Sequence, residues 1–206
     1  RNAPFMVKAN ALSVETVDSK VLNLAKEDII WNSVSELLTE NENNPILGLN
    51  IEEYAGNNKK LIERQVADLC AKLDEKILAH EDNIIGYQIC SDLNSVERIY
   101  AMRKKAVGLL GNANGAAKPI AFVEDTCVPP ENLADYITEF RALLDAHGLQ
   151  YGMFGHVDAG VLHVRPALDL TVQAQVRLFK QISDQVADLT EKYGGLIWGE
   201  HGKGMR

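Results

Sequence analysis

Apolar residues recur at helical spacing along two long stretches of the chain. Between residues 59 and 80, Leu61, Ile62, Val66, Leu69, Cys70, Leu73, Ile77 and Leu78 form one stripe. Residues 93–110 continue the same period behind Ser91-Asp92, whose short side chains can accept from the first free amides of a helix. Two further helices are predicted. One opens at Pro129-Pro130 and ends at His147-Gly148, and the other covers residues 169–193 and stops at Gly194-Gly195. Between them lie strand candidates at residues 46–54 (ILGLNIEEY), 83–90 (NIIGYQIC), 120–128, 151–156 and 161–165. The last two are too close for a crossover helix and must form an antiparallel hairpin. The pattern predicts an α+β fold, ferredoxin-like in its simplest form, with an antiparallel sheet covered by long helices on one face.

The start of the chain has no such period, and the polar residues 40–45 (ENENNP) separate it from the patterned remainder. Residues 1–45 are therefore predicted to be a linker with one short helix near residues 34–39, and residues 46–206 the folded domain.

Composition narrows the class. Of the 206 residues 46% are apolar and 24% charged, enough to bury a core and to exclude a disordered or collagen-like chain. Acids outnumber bases, 29 Asp+Glu against 21 Lys+Arg, for a net charge of −8. Neutralising phosphates needs clustered cations, and the short basic run is Arg103-Lys104-Lys105, so nucleic acid and anionic membrane are not expected partners. No stretch approaches the roughly 20 apolar residues of a membrane span, and a cytoplasmic setting is expected. Cys70, Cys90 and Cys127 are far apart with no C-x-x-C pair, which predicts buried structural thiols rather than a disulfide framework or a thiolate cluster. A start without Met and a glycine-rich end read as an internal fragment of a longer protein.

Candidate chemistry concentrates in residues 154–166 (FGHVDAGVLHVRP). With Ala159-Gly160 as turn residues, His156 pairs with His163 across the hairpin, Cβ atoms about 5 Å apart on one face. Two neutral imidazoles there can share a metal; the plainer alternative is a pair of satisfied, half-buried side chains. A catalytic zinc takes three protein ligands, and the third can come from residues 199–204 (GEHGKG), where glycines flank Glu200 and His201. The same loop could instead be a flexible surface segment or a phosphate cradle. Charge pattern alone makes Arg103 part of a solvated basic face. Lys118 precedes a proline, and Glu124-Asp125 end a strand as either ligands or helix-cap acceptors. His80 and His147 stand at helix C-termini, where a cation suits the dipole.

Taken in order, Tyr100-Ala-Met-Arg103, Glu124-Asp-Thr-Cys-Val-Pro129, Gly155-His-x6-His163 and the segment GEHGKG resemble the C-terminal, substrate-capping domain of FAD-linked oxidases. The resemblance covers roughly residues 46–206. It points within the vanillyl-alcohol oxidase superfamily to the branch of D-lactate, glycolate and D-2-hydroxyglutarate dehydrogenases, nearest the large bacterial members with an iron–sulfur half. It implies FAD bound mainly by a domain upstream of Arg1, with Gly199 and Gly202 beside the cofactor, and a possible 4Fe-4S portion beyond Arg206. His156, His163 and Glu200 become ligands of a divalent metal, usually zinc, His201 the base, and Arg103 the partner of the substrate's C1 carboxylate. Lys118 is a loose substitute for the family's substrate-contacting lysine.

Two departures bear on substrate. Many relatives have Gly-Asp-Gly-Asn where this chain has Asp158-Ala-Gly-Val161, and hydroxyglutarate dehydrogenases tend to have Asn where Arg165 stands. Arg165 is expected to bind a distal carboxylate. The implied function is oxidation of a D-2-hydroxy acid, D-2-hydroxyglutarate favoured, by hydride transfer to FAD, with the fragment inactive alone. A D-lactate or glycolate oxidase-type enzyme is the alternative within the class, and a ferredoxin-like metal-binding or interaction module the alternative outside it.

Overall fold

The computed structural model describes residues 2–38, 40, 45–111, 115–197 and 200–201. Helix α1 (Ala3–Lys8) leads into strand β1 (Ser13–Asp18) and helix α2 (Ser19–Lys26), followed by a short 3-10 turn at Ile29–Ser33. Strand β2 (Gly48–Glu53) and helices α3 (Lys59–Leu78) and α4 (Leu93–Leu110) come next. Short strands β3 (Lys118–Pro119) and β4 (Thr126–Cys127) precede α5 (Leu133–Ala146), the hairpin β5 (Tyr151–His156) and β6 (Val161–Leu168), α6 (Gln173–Lys192) and β7 (Leu196–Ile197). The strands form one sheet in the order β2-β1-β5-β6-β4-β7, with β3 on β6, and each pairing is antiparallel.

The α+β class and the antiparallel sheet are as expected. Helices α5 and α6 cover one face, burying Tyr136, Phe140, Leu144, Ile182 and Val186 against Val14, Met153, Leu162 and Val164. The other face carries a second layer, in which Val21, Leu22 and Ala25 of α2 and Ile99, Met102 and Ala106 of α4 pack on Val17 and Phe154. Gly152 makes this approach possible, since a Cβ there would lie 2.7 Å from Leu110 Cδ2 and 2.9 Å from Val21 Cγ2. The candidate site sits on this same face, where Arg103 of α4 meets Glu15 of β1.

The segment expected to be a linker is instead part of the domain. Strand β1 pairs on both sides, with β2 through Ser13↔Glu53 to Asp18↔Gly48 and with β5 through Glu15↔His156 to Val17↔Phe154. Its β-branched Val14, Thr16 and Val17 suit a pleated, half-buried surface, and Val14 and Val17 are fully buried in opposite cores. The helix expected near residues 34–39 falls one element early, as the 3-10 turn, with Thr39 and residues 41–44 outside the described residues.

Two expected strands dissolve. Residues 83–90 form no strand, because no neighbour pairs with them and Ile85, Tyr87 and Ile89 point to solvent. Of residues 120–128 only Thr126–Cys127 pair in the sheet; before them the chain turns inward, burying Phe122, Val123, Glu124 and Asp125 with Asp125 at φ +58.

The hairpin register also differs from expectation. His156 lies opposite Val161 and His163 opposite Phe154, so the turn comprises residues 157–160 rather than Ala159-Gly160 alone. Val157 is drawn out of the ladder because its side chain is buried in the α5/α6 core and its N–H donates to Val14 O at 3.0 Å. Gly160 closes the turn at φ +69, where a Cβ would fall 1.8 Å from Val128 O. The three cysteines are half-buried rather than buried; among them Cys90 packs partly against the α2/α4 layer.

Candidate metal centre and substrate site

A register shift of two residues keeps side chains on the same face, so His156 and His163 still point the same way, as diagonal neighbours. Their ring centroids lie 5.4 Å apart at 86°. Glu200 completes the group: its Oε2 is 3.3 Å from His156 Nε2 and 3.6 Å from His163 Nε2. These three donors lie within 4.8 Å of one another, close enough to hold one ion. Two imidazole nitrogens and one carboxylate are the donor set of an open catalytic zinc site.

Each imidazole is oriented from behind by a carboxylate. His156 Nδ1 is 2.8 Å from Glu15 Oε1, and His163 Nδ1 is 2.8 Å from Asp125 Oδ1. Such a bond fixes the tautomer, leaving Nε2 with the lone pair that a metal needs. Burial holds the His163 imidazole below its usual pKa against the pull of Glu124 and Asp125. The hydrogen bond to Glu15 pushes His156 up. Burial raises Glu15, but the bond from His156 and the charge of Arg103 outweigh it and hold the carboxyl below its usual value.

His201 stands beside this group, its ring 5.0 Å from that of His163. Its Nδ1 is 3.0 Å from Asp125 Oδ1 and its backbone N–H donates to Asp125 Oδ2 at 3.4 Å. Over half of its side chain is exposed, so Nε2 can face a substrate. Glu124, Asp125, His163 and His201 also converge within 4.8 Å.

Arg103 is not a solvated cation. It is 22% exposed, pairs with Glu15 through Nη2, and lies 6.0 Å from the Phe154 ring. Arg165, on β6, lies 5.3 Å from the centre of the same ring, with Nε bound to Glu124. Four carboxylates (Glu15, Glu124, Asp125, Glu200) thus meet two guanidinium groups, a surplus of 4 − 2 = 2 negative charges that suits a divalent cation.

Lys118 is not brought to this place. It pairs with Leu168, five residues along β6 from His163, or roughly 17 Å. By strand alternation Leu168 belongs to the face opposite the histidines, in the α5/α6 core. Gly199 and Gly202 lie outside the described residues. His147 caps α5 and contacts Gln185 at 3.3 Å, away from the site. The sequence left Asp125 open as ligand or cap, and missed Glu15, which no local pattern in residues 13–18 (SVETVD) marks.

The profile of the family described as FAD linked oxidases, C-terminal domain, matches residues 1–206. The chain belongs to that family. This FAD-linked oxidase C-terminal domain is 82% identical over all 206 residues to a D-2-hydroxyglutarate dehydrogenase of Haemophilus influenzae and 71% identical to one of Escherichia coli. A shorter match, 30% over 90 residues and 44% of the chain, is to 20% of a D-lactate dehydrogenase of Archaeoglobus fulgidus. The domain spans 20% of the length of the first two relatives. Among solved structures it resembles 4-ethylphenol oxidase from Gulosibacter chungangensis in an isoeugenol complex, with a TM-score of 0.51 at 9% identity over 94% of this chain and 42% of that one. That likeness concerns the fold alone.

Proposed function

We propose that the chain is the substrate- and metal-binding domain of an FAD-dependent dehydrogenase that oxidises a D-2-hydroxy acid, D-2-hydroxyglutarate above others, to the 2-oxo acid. The observation that carries this reading is the convergence of His156 Nε2, His163 Nε2 and Glu200 Oε2 within 4.8 Å, each imidazole backed by a carboxylate. When bound, a divalent metal, zinc by this donor set, supplies a Lewis acid for the substrate hydroxyl, and FAD supplies the hydride acceptor. His201 takes the hydroxyl proton at Nε2, the nitrogen that Asp125 leaves free. Arg103 binds the C1 carboxylate by its planar guanidinium.

Arg165 takes the distal carboxylate. Its Nε is engaged by Glu124, and its terminal nitrogens have no partner among the described residues. It stands two residues along β6 from His163 on the same face, roughly 7 Å away, which accords with a short dicarboxylate spanning metal and guanidinium. In this reading FAD, any 4Fe-4S cluster and the electron acceptor's surface belong to the remainder of a cytoplasmic parent; among the described residues no cysteine joins a ligand cluster.

Anaerobic flavin bleaching of the full-length parent by D-2-hydroxyglutarate, D-lactate and glycolate tests the reading. Bleaching by one of these acids is expected, lost in His163→Ala. Arg165→Ala is expected to slow D-2-hydroxyglutarate by 10-fold or more while D-lactate changes under 3-fold, about the 1.4 kcal/mol per decade that separates a kept from a lost charged hydrogen bond. Bleaching that survives His163→Ala, or equal effects of Arg165→Ala on both acids, would refute the corresponding assignment.

A further inference from the structure

We infer that Asp125 is a positioning residue that holds a metal ligand and the general base in register through a single carboxylate. The inference rests on the metal and base roles proposed above. One oxygen, Oδ1, is 2.8 Å from His163 Nδ1 and 3.0 Å from His201 Nδ1, while Oδ2 accepts from the His201 backbone N–H at 3.4 Å. A carboxylate only accepts hydrogen bonds, so both imidazoles must carry their ring proton on Nδ1. Both Nε2 atoms are then lone-pair donors, one directed toward Glu200 and the other left for a substrate proton. The distance between ligand and base is set by this one group, with ring centroids 5.0 Å apart.

Asp125 is completely buried, with its backbone at φ +58, in the left-handed region that Asp and Asn tolerate better than most side chains. That conformation comes just before Thr126 enters the ladder opposite Leu162. Glu124, its neighbour, bonds Arg165 through Oε1 and lies 3.8 Å from His201 Nδ1 through Oε2, farther from that ring than Asp125 Oδ1 at 3.0 Å. Glu15 stands behind His156 in the same way but touches no base.

The test uses the metal-free full-length parent, with zinc affinity read by chelator competition and turnover of D-2-hydroxyglutarate at saturating zinc. Asp125→Asn keeps the size and tolerates the left-handed backbone, and Asp125→Gly keeps the backbone while removing the side chain. Both are expected to bind zinc 10- to 100-fold more weakly. With zinc restored, kcat is expected to remain about 100-fold low while KM changes under 3-fold, because the base is left without its fixed tautomer. Thermal unfolding of each variant identifies a chain that has failed to fold, and the folded variant of the two decides. Zinc affinity within 2-fold of wild type overturns the inference, as does full recovery of kcat at saturating zinc, which would limit Asp125 to the ligand. A wild-type parent that binds no zinc would instead overturn the metal reading itself.

Discussion

Glu15 is 13% exposed, and its two oxygens are divided between His156 and Arg103. A neutral amide in its place can still contact both groups but supplies no charge to either, so Glu15→Gln is expected to weaken zinc binding by the full-length parent 10- to 100-fold. Chelator competition checks this, and an unchanged affinity would mean that His156 needs no carboxylate behind it. At this scale the sequence was informative where chemistry repeats in one local segment: His156, His163, Glu200 and His201 do converge, although the register expected of the hairpin was off by two residues. It was silent on what orients them. Glu15 is 141 positions before His156 and no local pattern links the two. Glu124 and Asp125 could be seen but not separated, because the left-handed turn that bonds Glu124 to Arg165 and Asp125 to both histidines, with Glu124 3.8 Å from His201, is set by tertiary packing.

Helices were the most legible elements. Residues 93–110 form α4 as expected, with Asp92 Oδ1 accepting from Ser95 N–H at 2.9 Å, because amphipathic period and cap agree. Strands depend on partners, and residues 83–90 have the alternation without the partner. Asp18 joins two elements, ending β1 and capping α2 through Val21 N–H at 2.9 Å. Burial raises its carboxyl pKa, against the pull of that cap bond and of Arg141. An acid whose folded pKa is raised binds its proton more readily when folded; its stabilising contribution is therefore complete at acid pH and is lost as pH rises from the ordinary carboxylate value through the raised one. Asp18→Asn keeps a capping oxygen and removes the charge. Its denaturant midpoint is expected to equal or trail the wild type at acid pH and to exceed it above that window. A wild-type advantage that grows with pH would show the Arg141 pair outweighing the burial.

At the scale of the whole molecule, β1 decides whether the sheet exists. It separates β2 from β5, contributes Val14 to one core and Val17 to the other, and carries Glu15 to the site. A chain beginning at Ile46 is expected to lack a cooperative unfolding transition, whereas the chain from Asn2 onward is expected to have one; matched circular-dichroism melts compare them. Cooperative melting of the shorter chain would return residues 2–45 to the role of a linker. The sequence hid this because residues 13–18 are a short strand with only two of its six positions apolar, and such a strand is recognisable mainly by its neighbours.

The placement of β1 also sets a clock. Val17 pairs with Phe154, 137 positions later, and a ribosome adding about 5 to 20 residues per second needs roughly 7 to 27 s to deliver that partner. For that interval the newborn β1–β2 ladder has one edge with unmet backbone donors and acceptors, a template for any other extended chain nearby. Crowded synthesis therefore favours clumping of half-made chains over failure of finished ones, and slowing initiation or supplying a holdase should raise the soluble yield more than any change that strengthens the completed fold.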